Sequence, residues 1–489
     1  MNVLASCFCL IYAEATYAAT VEARHTHGVF YPGLENQAVL QLKISGSPGE
    51  TVTGLSFNMG ESSAKAKIKC ARLSTSGHRN SFTLHTKNPV QQLADTRTPK
   101  ADFHFKTEIK LGDKPTYLWL SYDLAPGGKG NAKVDALCTS VKMADGSTLK
   151  PELRMAEGIS TREIGRIYPF RHRIVPYYRP RWVKGWGNSD TAVHLTEEHF
   201  GLFTDLIHFA YSVNEQGGIT YQWAGGGDSK KTVDEALDEI KRLHRAAHSQ
   251  ARLIAGFGHM DKQLTQAISR PKTRRTLARN MAQWAIKRGY QGIDLDWEYP
   301  EGPAQWNNLG LFLGDLREEL AGTGISISIA ASVNYRIPTL QVTDQIDFIL
   351  TMSYGSQAAQ HASMERYQRE ANICVNKLHM PKVKVVTGLP FYSNEQGKLT
   401  DQYGYSQIYA WHPNLKADVN TFRAKKKDGS DGPMHSFNGR KLIAEKCQWT
   451  KDNGFGGVMI WAYETDLPLK HHASLSKAMY KILRQIPNK

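Results

Sequence analysis

The chain has 489 residues, too many for one ordinary core and enough for two domains, one of them large enough to be a full (β/α)8 barrel. Lys and Arg exceed Asp and Glu by 15, but the basic residues are scattered, and the densest run, Lys425, Lys426 and Lys427, is followed by Asp428 and Gly429 as a solvated loop would be. That distribution excludes a nucleic-acid stripe, and no later apolar run reaches the 18 or so residues of a membrane helix.

Residues 1–19 hold an apolar stretch from Val3 to Ala13 and then small residues around Ala18 and Ala19, the pattern of a signal peptide. Leu4-Ala5-Ser6-Cys7 has the form of a lipoprotein box, so the expected location is secreted or cell-surface, with lipidation at Cys7 as one version. An exported chain permits disulfides within the pairs Cys70/Cys138 and Cys374/Cys447, and four buried thiols fit equally well. No two cysteines have metal-ligand spacing, which argues against zinc.

Residues 20–160 read as strands. Leu40, Leu42 and Ile44 alternate with Gln41, Lys43 and Ser45, Leu55 and Phe57 repeat the period, and Tyr117-Leu118-Trp119-Leu120-Ser121-Tyr122 gives another strand before the turn at Pro126-Gly127-Gly128. Short strands with turn signals predict an antiparallel β-sandwich. Through its V-L-Q-L-K-I-S, V-T-G-L-S-F and Y-L-W-L-S-Y-D stretches the region resembles the N-terminal domain that precedes BNR-repeat neuraminidases, which implies an accessory module.

Beyond a linker at 161–171 the period changes, and residues 172–489 alternate short apolar runs with amphipathic helices, the mark of a parallel α/β sheet. Eight strand candidates fall at 174–178, 206–213, 252–257, 292–297, 325–331, 348–353, 384–389 and 457–461. Among the helices between them is 271–288, opened by Pro271, closed by Gly289 and carrying Leu277, Met281 and Trp284 on one face. Eight β/α units imply a TIM barrel with its chemistry at the C-terminal strand ends.

The fourth candidate strand reads Gly292-Ile293-Asp294-Leu295-Asp296-Trp297-Glu298-Tyr299-Pro300. Period two sends Asp294, Asp296 and Glu298 into the barrel and Ile293, Leu295 and Trp297 outward against the helices. Three acids in a narrow interior repel, so at least one holds a proton near neutral pH. A salt-bridged filling or a Ca²⁺ or Mg²⁺ site would be the structural explanation, but neighbouring strand ends show no excess of bases, and unpaired buried carboxylates are too costly without a function. No metal or cofactor is expected.

Here the chain resembles glycoside hydrolase family 18, the chitinases and endo-β-N-acetylglucosaminidases, whose signature is D-x-x-D-x-D-x-E on the fourth strand. Asp294, Asp296 and Glu298 match its last three positions, and Gln291 replaces the first Asp. Further landmarks fall in order at Tyr177-Tyr178, Gly256-Phe257-Gly258, Met352-Ser353-Tyr354 and Trp461. The resemblance implies Glu298 as acid/base, Asp296 as orienter of the substrate acetamido group, Asp294 as its proton partner and Tyr354 on the acetamido carbonyl. It also implies a sugar-binding surface of Trp461, Tyr178, Met352, Trp297 and Tyr299. Two departures stand out: Gly355 occupies the place of the usual Asp after that Tyr, and too few residues separate Gly388 from Val458 for the long α+β insertion of many chitinases, which implies an open cleft.

The implied reaction is retaining, endo-acting cleavage of β-1,4 N-acetylglucosamine linkages in chitin or chito-oligosaccharides, with the substrate's own acetamido oxygen as nucleophile. Trp297 beside Glu298, and Met352, favour a chitinase over an endo-β-N-acetylglucosaminidase, while Gly355 and the neuraminidase-like module point toward glycoprotein glycans. A non-catalytic lectin on the same barrel would ordinarily lack Glu298. The expected partner is an N-acetylglucosamine polymer, not nucleic acid, and the catalytic barrel is expected to stand without residues 1–160. The oligomeric state is not legible.

Overall fold

The computed structural model describes residues 18–127, 132–179, 193–221, 229–399 and 403–483, so the leader, apart from Ala18 and Ala19, lies outside the described residues. The N-terminal region is a two-sheet sandwich. One sheet runs Glu152–Leu153, Thr20–His25, Gln37–Ser45, Thr116–Leu124, Ile68–Gly77 and Gln91–Arg97, and the other Thr148–Leu149, Leu137–Met143, Thr51–Asn58 and Asp102–Lys110. The alternating residues meet between them: Leu40, Leu42, Ile44, Leu118 and Leu120 from the first sheet, Leu55, Phe57, Phe103 and Phe105 from the second. Pairing is antiparallel except at one edge, where Thr20–His25 lies parallel to Glu152–Leu153.

The barrel has all eight expected strands. They are Arg173–Tyr178, Asp205–Val213, Arg252–Phe257, Gly292–Asp296, Ser326–Ala331, Phe348–Thr351, Val385–Pro390 and Gly457–Trp461, every neighbouring pair parallel. The first strand closes the ring by pairing with both the eighth, Arg173 to Gly457, and the second, Tyr177 to Ile207. The second helix after the third strand, Pro271–Lys287, starts at its proline, buries Leu277 and Met281, and ends before Gly289 in the left-handed region that favours glycine.

Two expectations are corrected, and one question left open is settled. The linker at 161–171 is not free: Gly165–Ile167 forms a strand parallel to Val29–Phe30 and antiparallel to Lys133–Val134. The segment between the seventh and eighth strands carries a compact α+β insertion, the helix Tyr405–Trp411 and a three-stranded sheet of Asn394–Glu395, Asp431–Ser436 and Thr421–Lys425. Cys70, Cys138, Cys374 and Cys447 are free thiols, joined by no disulfide.

The two domains share a buried polar seam at the N-terminal ends of the barrel strands. Arg173, 1% exposed, donates through Nη1 to both oxygens of Asp205 at 2.9 Å and through Nη2 to the Tyr31 hydroxyl at 2.8 Å. Tyr31 in turn donates to the Asp347 carbonyl at 3.0 Å, Tyr168 donates to Asp205 at 2.8 Å, and the Arg173 guanidinium lies 3.7 Å from the Tyr168 ring centroid. A charge taken this far from water needs every one of those partners. The sandwich supplies Tyr31, so it forms part of the barrel floor.

Candidate active site

The fourth strand places its acids by parity. Ile293, Leu295 and Trp297 pack in the layer between barrel and helices, which leaves Asp294 and Asp296 facing the interior and Glu298 at the mouth. Asp294 is fully buried and accepts two short hydrogen bonds, from the Tyr177 hydroxyl and from Ser328 Oγ, both at 2.6 Å. Burial outweighs those bonds and pushes its carboxyl up to about 6. Asp296 is 5% exposed, and its Oδ1 has no hydrogen-bond partner among the described residues. Burial first, then the charges of Glu298, Asp294 and Asp261, raise it well above the ordinary carboxylate range.

Glu298 reaches solvent at the mouth, yet the walls around its carboxyl crowd out water, and the pKa is raised. Desolvation is the main cause; the Tyr299 hydroxyl opposes it by hydrogen bonding to the carboxylate, and the Asp261 charge adds to it. Among the described residues no Lys or Arg is paired with any of the three acids. Burial and mutual repulsion therefore oppose full ionisation of the ladder, as its crowding requires.

Around the acids lies an interior cluster to which Met352, Tyr299, Tyr354 and Trp461 all belong, together with Tyr177, Phe209 and Met459. Trp461 is held edge-on by Tyr177 and Phe209, both at 5.3 Å between centroids. Beside it the Arg179 guanidinium, paired with Glu464 at 2.5 Å, lies 4.9 Å from the Trp461 ring centroid. Among the described residues the Tyr354 hydroxyl has one hydrogen-bond contact, a long one to Met459 Sδ at 3.6 Å, which a better acceptor would displace.

Two residues expected on the sugar side are elsewhere. Tyr178 and Trp297 both pack in the outer layer, so the inward tyrosine of the first strand is Tyr177. The reason is parity: Val175 and Tyr177 face the interior, and Tyr178 must then face the helices. Gln291, where the signature has Asp, lies at the strand's lower end and accepts the Leu253 N–H at 3.1 Å, a structural contact. Sequence reasoning also missed Ser328, which was legible in the alternation of Ser326, Ser328 and Ala330 with Ile327 and Ile329. Tyr392, buried beside Tyr354 with 5.9 Å between ring centroids, carried no local signal.

Gly388 on the seventh strand makes room for Tyr354. A Cβ there would lie 2.2 Å from the Thr351 carbonyl oxygen and 2.7 Å from Tyr354 Cε1, distances that real atoms do not tolerate. Gly388→Ala is expected to shift Tyr354 and to cost about 1–3 kcal/mol by overpacking. Chemical denaturation, with ligand affinity measured alongside, checks this; wild-type stability and affinity would refute it.

The comparisons bear on residues 173–466, which match the family model Glycosyl hydrolases family 18; the sandwich lies outside that match. The chain is 27% identical over 321 residues to Chitinase 1 of Aphanocladium album, covering 53% of this chain and 75% of that protein. It is 25% identical over 244 residues to Endochitinase 1 of Metarhizium anisopliae, covering 41% of this chain and 57% of that protein. Among solved structures, the fold is shared with a chitinase from Bacteroides thetaiotaomicron at a TM-score of 0.51 and 19% identity, covering 64% of this chain and 96% of that one. It is shared likewise with catalytic domain 2 of the Ostrinia furnacalis Group II chitinase at a TM-score of 0.52 and 18% identity, covering 64% and 97%. The closed eight-stranded barrel and a family match across its length lead to one assignment: the chain belongs to glycosyl hydrolase family 18 and is a chitinase-like glycosidase.

Proposed function

We propose that the protein is a retaining, endo-acting enzyme that cuts β-1,4 N-acetylglucosamine linkages in chitin or chito-oligosaccharides by substrate-assisted catalysis. The observation that carries the reading is Asp296: a desolvated carboxyl between Asp294 and Glu298, with one buried oxygen that has no hydrogen-bond partner among the described residues. An acetamido N–H is the donor that such an oxygen can accept.

Glu298, whose desolvated carboxyl holds its proton to higher pH than a free one, gives that proton to the glycosidic oxygen as the C1–O bond breaks. The acetamido oxygen attacks C1 and forms an oxazolinium ion, while Asp296 accepts the acetamido N–H and Tyr354 donates to the acetamido oxygen. Asp294, held by Tyr177 and Ser328, shares a proton with Asp296 and lets that carboxylate carry charge when the cation forms. Trp461 floors the sugar site, with Met352 and Tyr299 on its walls. Glu298, now a carboxylate, takes a proton from water as the water attacks C1 from the face the leaving group left, opposite the acetamido oxygen, and opens the ring with net retention. Internal cleavage accords with the name of the Metarhizium relative, an endochitinase. Export is part of the proposal, supported by the apolar leader; no helix among the described residues is long and apolar enough to cross a membrane.

The test pairs chitohexaose with cellohexaose, which has the same linkage but a hydroxyl at C2. Chitohexaose should be cut and cellohexaose left intact, and rapid NMR before mutarotation should find the β-anomer as first product. An α-anomer, or cleavage of cellohexaose, would overturn the mechanism.

A further inference from the structure

Asp261 stands outside the acidic strand and outside its signature, yet its carboxylate reaches the mouth of that strand. It opens the helix Asp261–Ser269, which follows the third barrel strand and is fixed by burial of Leu264, Ala267 and Ile268. The third and fourth strands are parallel neighbours in register, Phe257 opposite Leu295, so the segments that leave their C-terminal ends emerge side by side. Across that gap Asp261 Oδ1 accepts the backbone N–H of Glu298 at 3.2 Å. The bond falls where regular pairing has stopped: the fourth strand ends at Asp296, and the next residues carry the acid into the mouth.

We propose that Asp261 is a positioning residue for Glu298, tethering its backbone to the helix after the third strand and so fixing the direction in which the acid points. The proposal rests on Glu298 being the general acid. A carboxylate in this place also has an electrostatic effect, since its charge opposes ionisation of both Glu298 and Asp296. Among the described residues, the other titratable or charged groups facing Glu298 are Asp296 on its own strand, the Tyr299 hydroxyl, Tyr354 just past the sixth strand and Tyr392 after the seventh. His259 adjoins Asp261 on the same segment, with Arg179 acting on it from the first strand.

Two substitutions separate tether from charge: Asp261→Asn keeps an acceptor oxygen and removes the charge, and Asp261→Ala removes both. In the full chain labelled with ¹⁵N-glutamate, the Glu298 amide should exchange with solvent about tenfold faster in Asp261→Ala and within about twofold of wild type in Asp261→Asn. On chitohexaose, Asp261→Ala should lower kcat about tenfold or more with KM within about threefold, because a misdirected acid fails at the transition state and leaves binding alone. Asp261→Asn should keep kcat at acid pH. Its alkaline limb in kcat/KM should move to lower pH by about half a unit or more, since removing a neighbouring negative charge makes Glu298 release its proton sooner.

Equal amide exchange in all three proteins would overturn the tether, as would wild-type kcat and pH profile in Asp261→Ala. If the alanine variant fails to fold, Asp261→Leu, close in size and without an acceptor, takes its place: wild-type exchange of the Glu298 amide in that variant overturns the proposal. Amide exchange needs no turnover, so faster exchange in a protein that leaves chitohexaose intact would uphold the tether and reject the chitinase reading.

Discussion

Glu298→Gln is expected to lower kcat on chitohexaose by about 10²- to 10⁴-fold, the span that a positioned general acid contributes. The amide is nearly isosteric and can still meet the Tyr299 hydroxyl, so the mouth keeps its shape, but it has no proton to give the leaving oxygen and no base to offer the water. Both halves of the reaction lose the same group. Affinity for chitohexaose should stay within about threefold, because a group used only in the transition state contributes little to ground-state binding. Initial rates with calorimetric titration of the same variant are the measurement. Retention of more than about a tenth of the wild-type rate would remove Glu298 from the acid's role.

Removing residues 1–160 should have an effect of a different kind. The sequence alone suggests a barrel that stands by itself, but the buried seam points the other way. Truncation takes Tyr31 from Arg173 and from the Asp347 carbonyl, and strips Val29–Phe30 and Lys133–Val134 from the strand at Gly165–Ile167. Each buried polar group left without its partner costs about 1–3 kcal/mol, against a total stability of about 5–15 kcal/mol for an ordinary domain. The fragment should be insoluble, or should melt at least about 10 °C below the full chain. Thermal unfolding followed by circular dichroism tests this, and a fragment melting within about 3 °C of the whole protein, with unchanged kcat, would show that the seam contributes nothing essential.

The barrel was legible because its strands are buried on both faces and read as unbroken apolar runs between amphipathic helices. The acid ladder was legible for a related reason: only a strand facing a polar interior would alternate Asp294, Asp296 and Glu298 with Ile293, Leu295 and Trp297. Where parity was not followed through, the reading failed. Tyr177 and Tyr178 are adjacent, identical and both buried, so composition cannot choose between them, and only the alternation with Val175 assigns the inward one. Trp297 faces outward by the same rule, and being next to Glu298 in sequence does not bring it to the sugar.

What could not be read were polar contacts made at long range. Asp261 meets Glu298 across 37 residues, and Tyr31 meets Arg173 across 142. Neither pair leaves a periodic trace, because one hydrogen bond constrains two positions and nothing between them. The segment at 165–167 was read as linker for a similar reason: three residues are too few to establish a period, and the strand exists only because Val29–Phe30 and Lys133–Val134 are there to pair with it.

The sandwich is fastened to the N-terminal ends of the barrel strands, while the acids and their aromatic surround open at the C-terminal ends. The molecule is therefore polar in the geometric sense, with a mounting end and a working end at opposite ends of the barrel. Coupling the protein to a resin or fusing it to a carrier through the outer strands of the sandwich would leave the mouth facing outward, clear of the support. Attachment through the segment between the seventh and eighth strands would do the reverse and turn the cleft toward the surface that holds it.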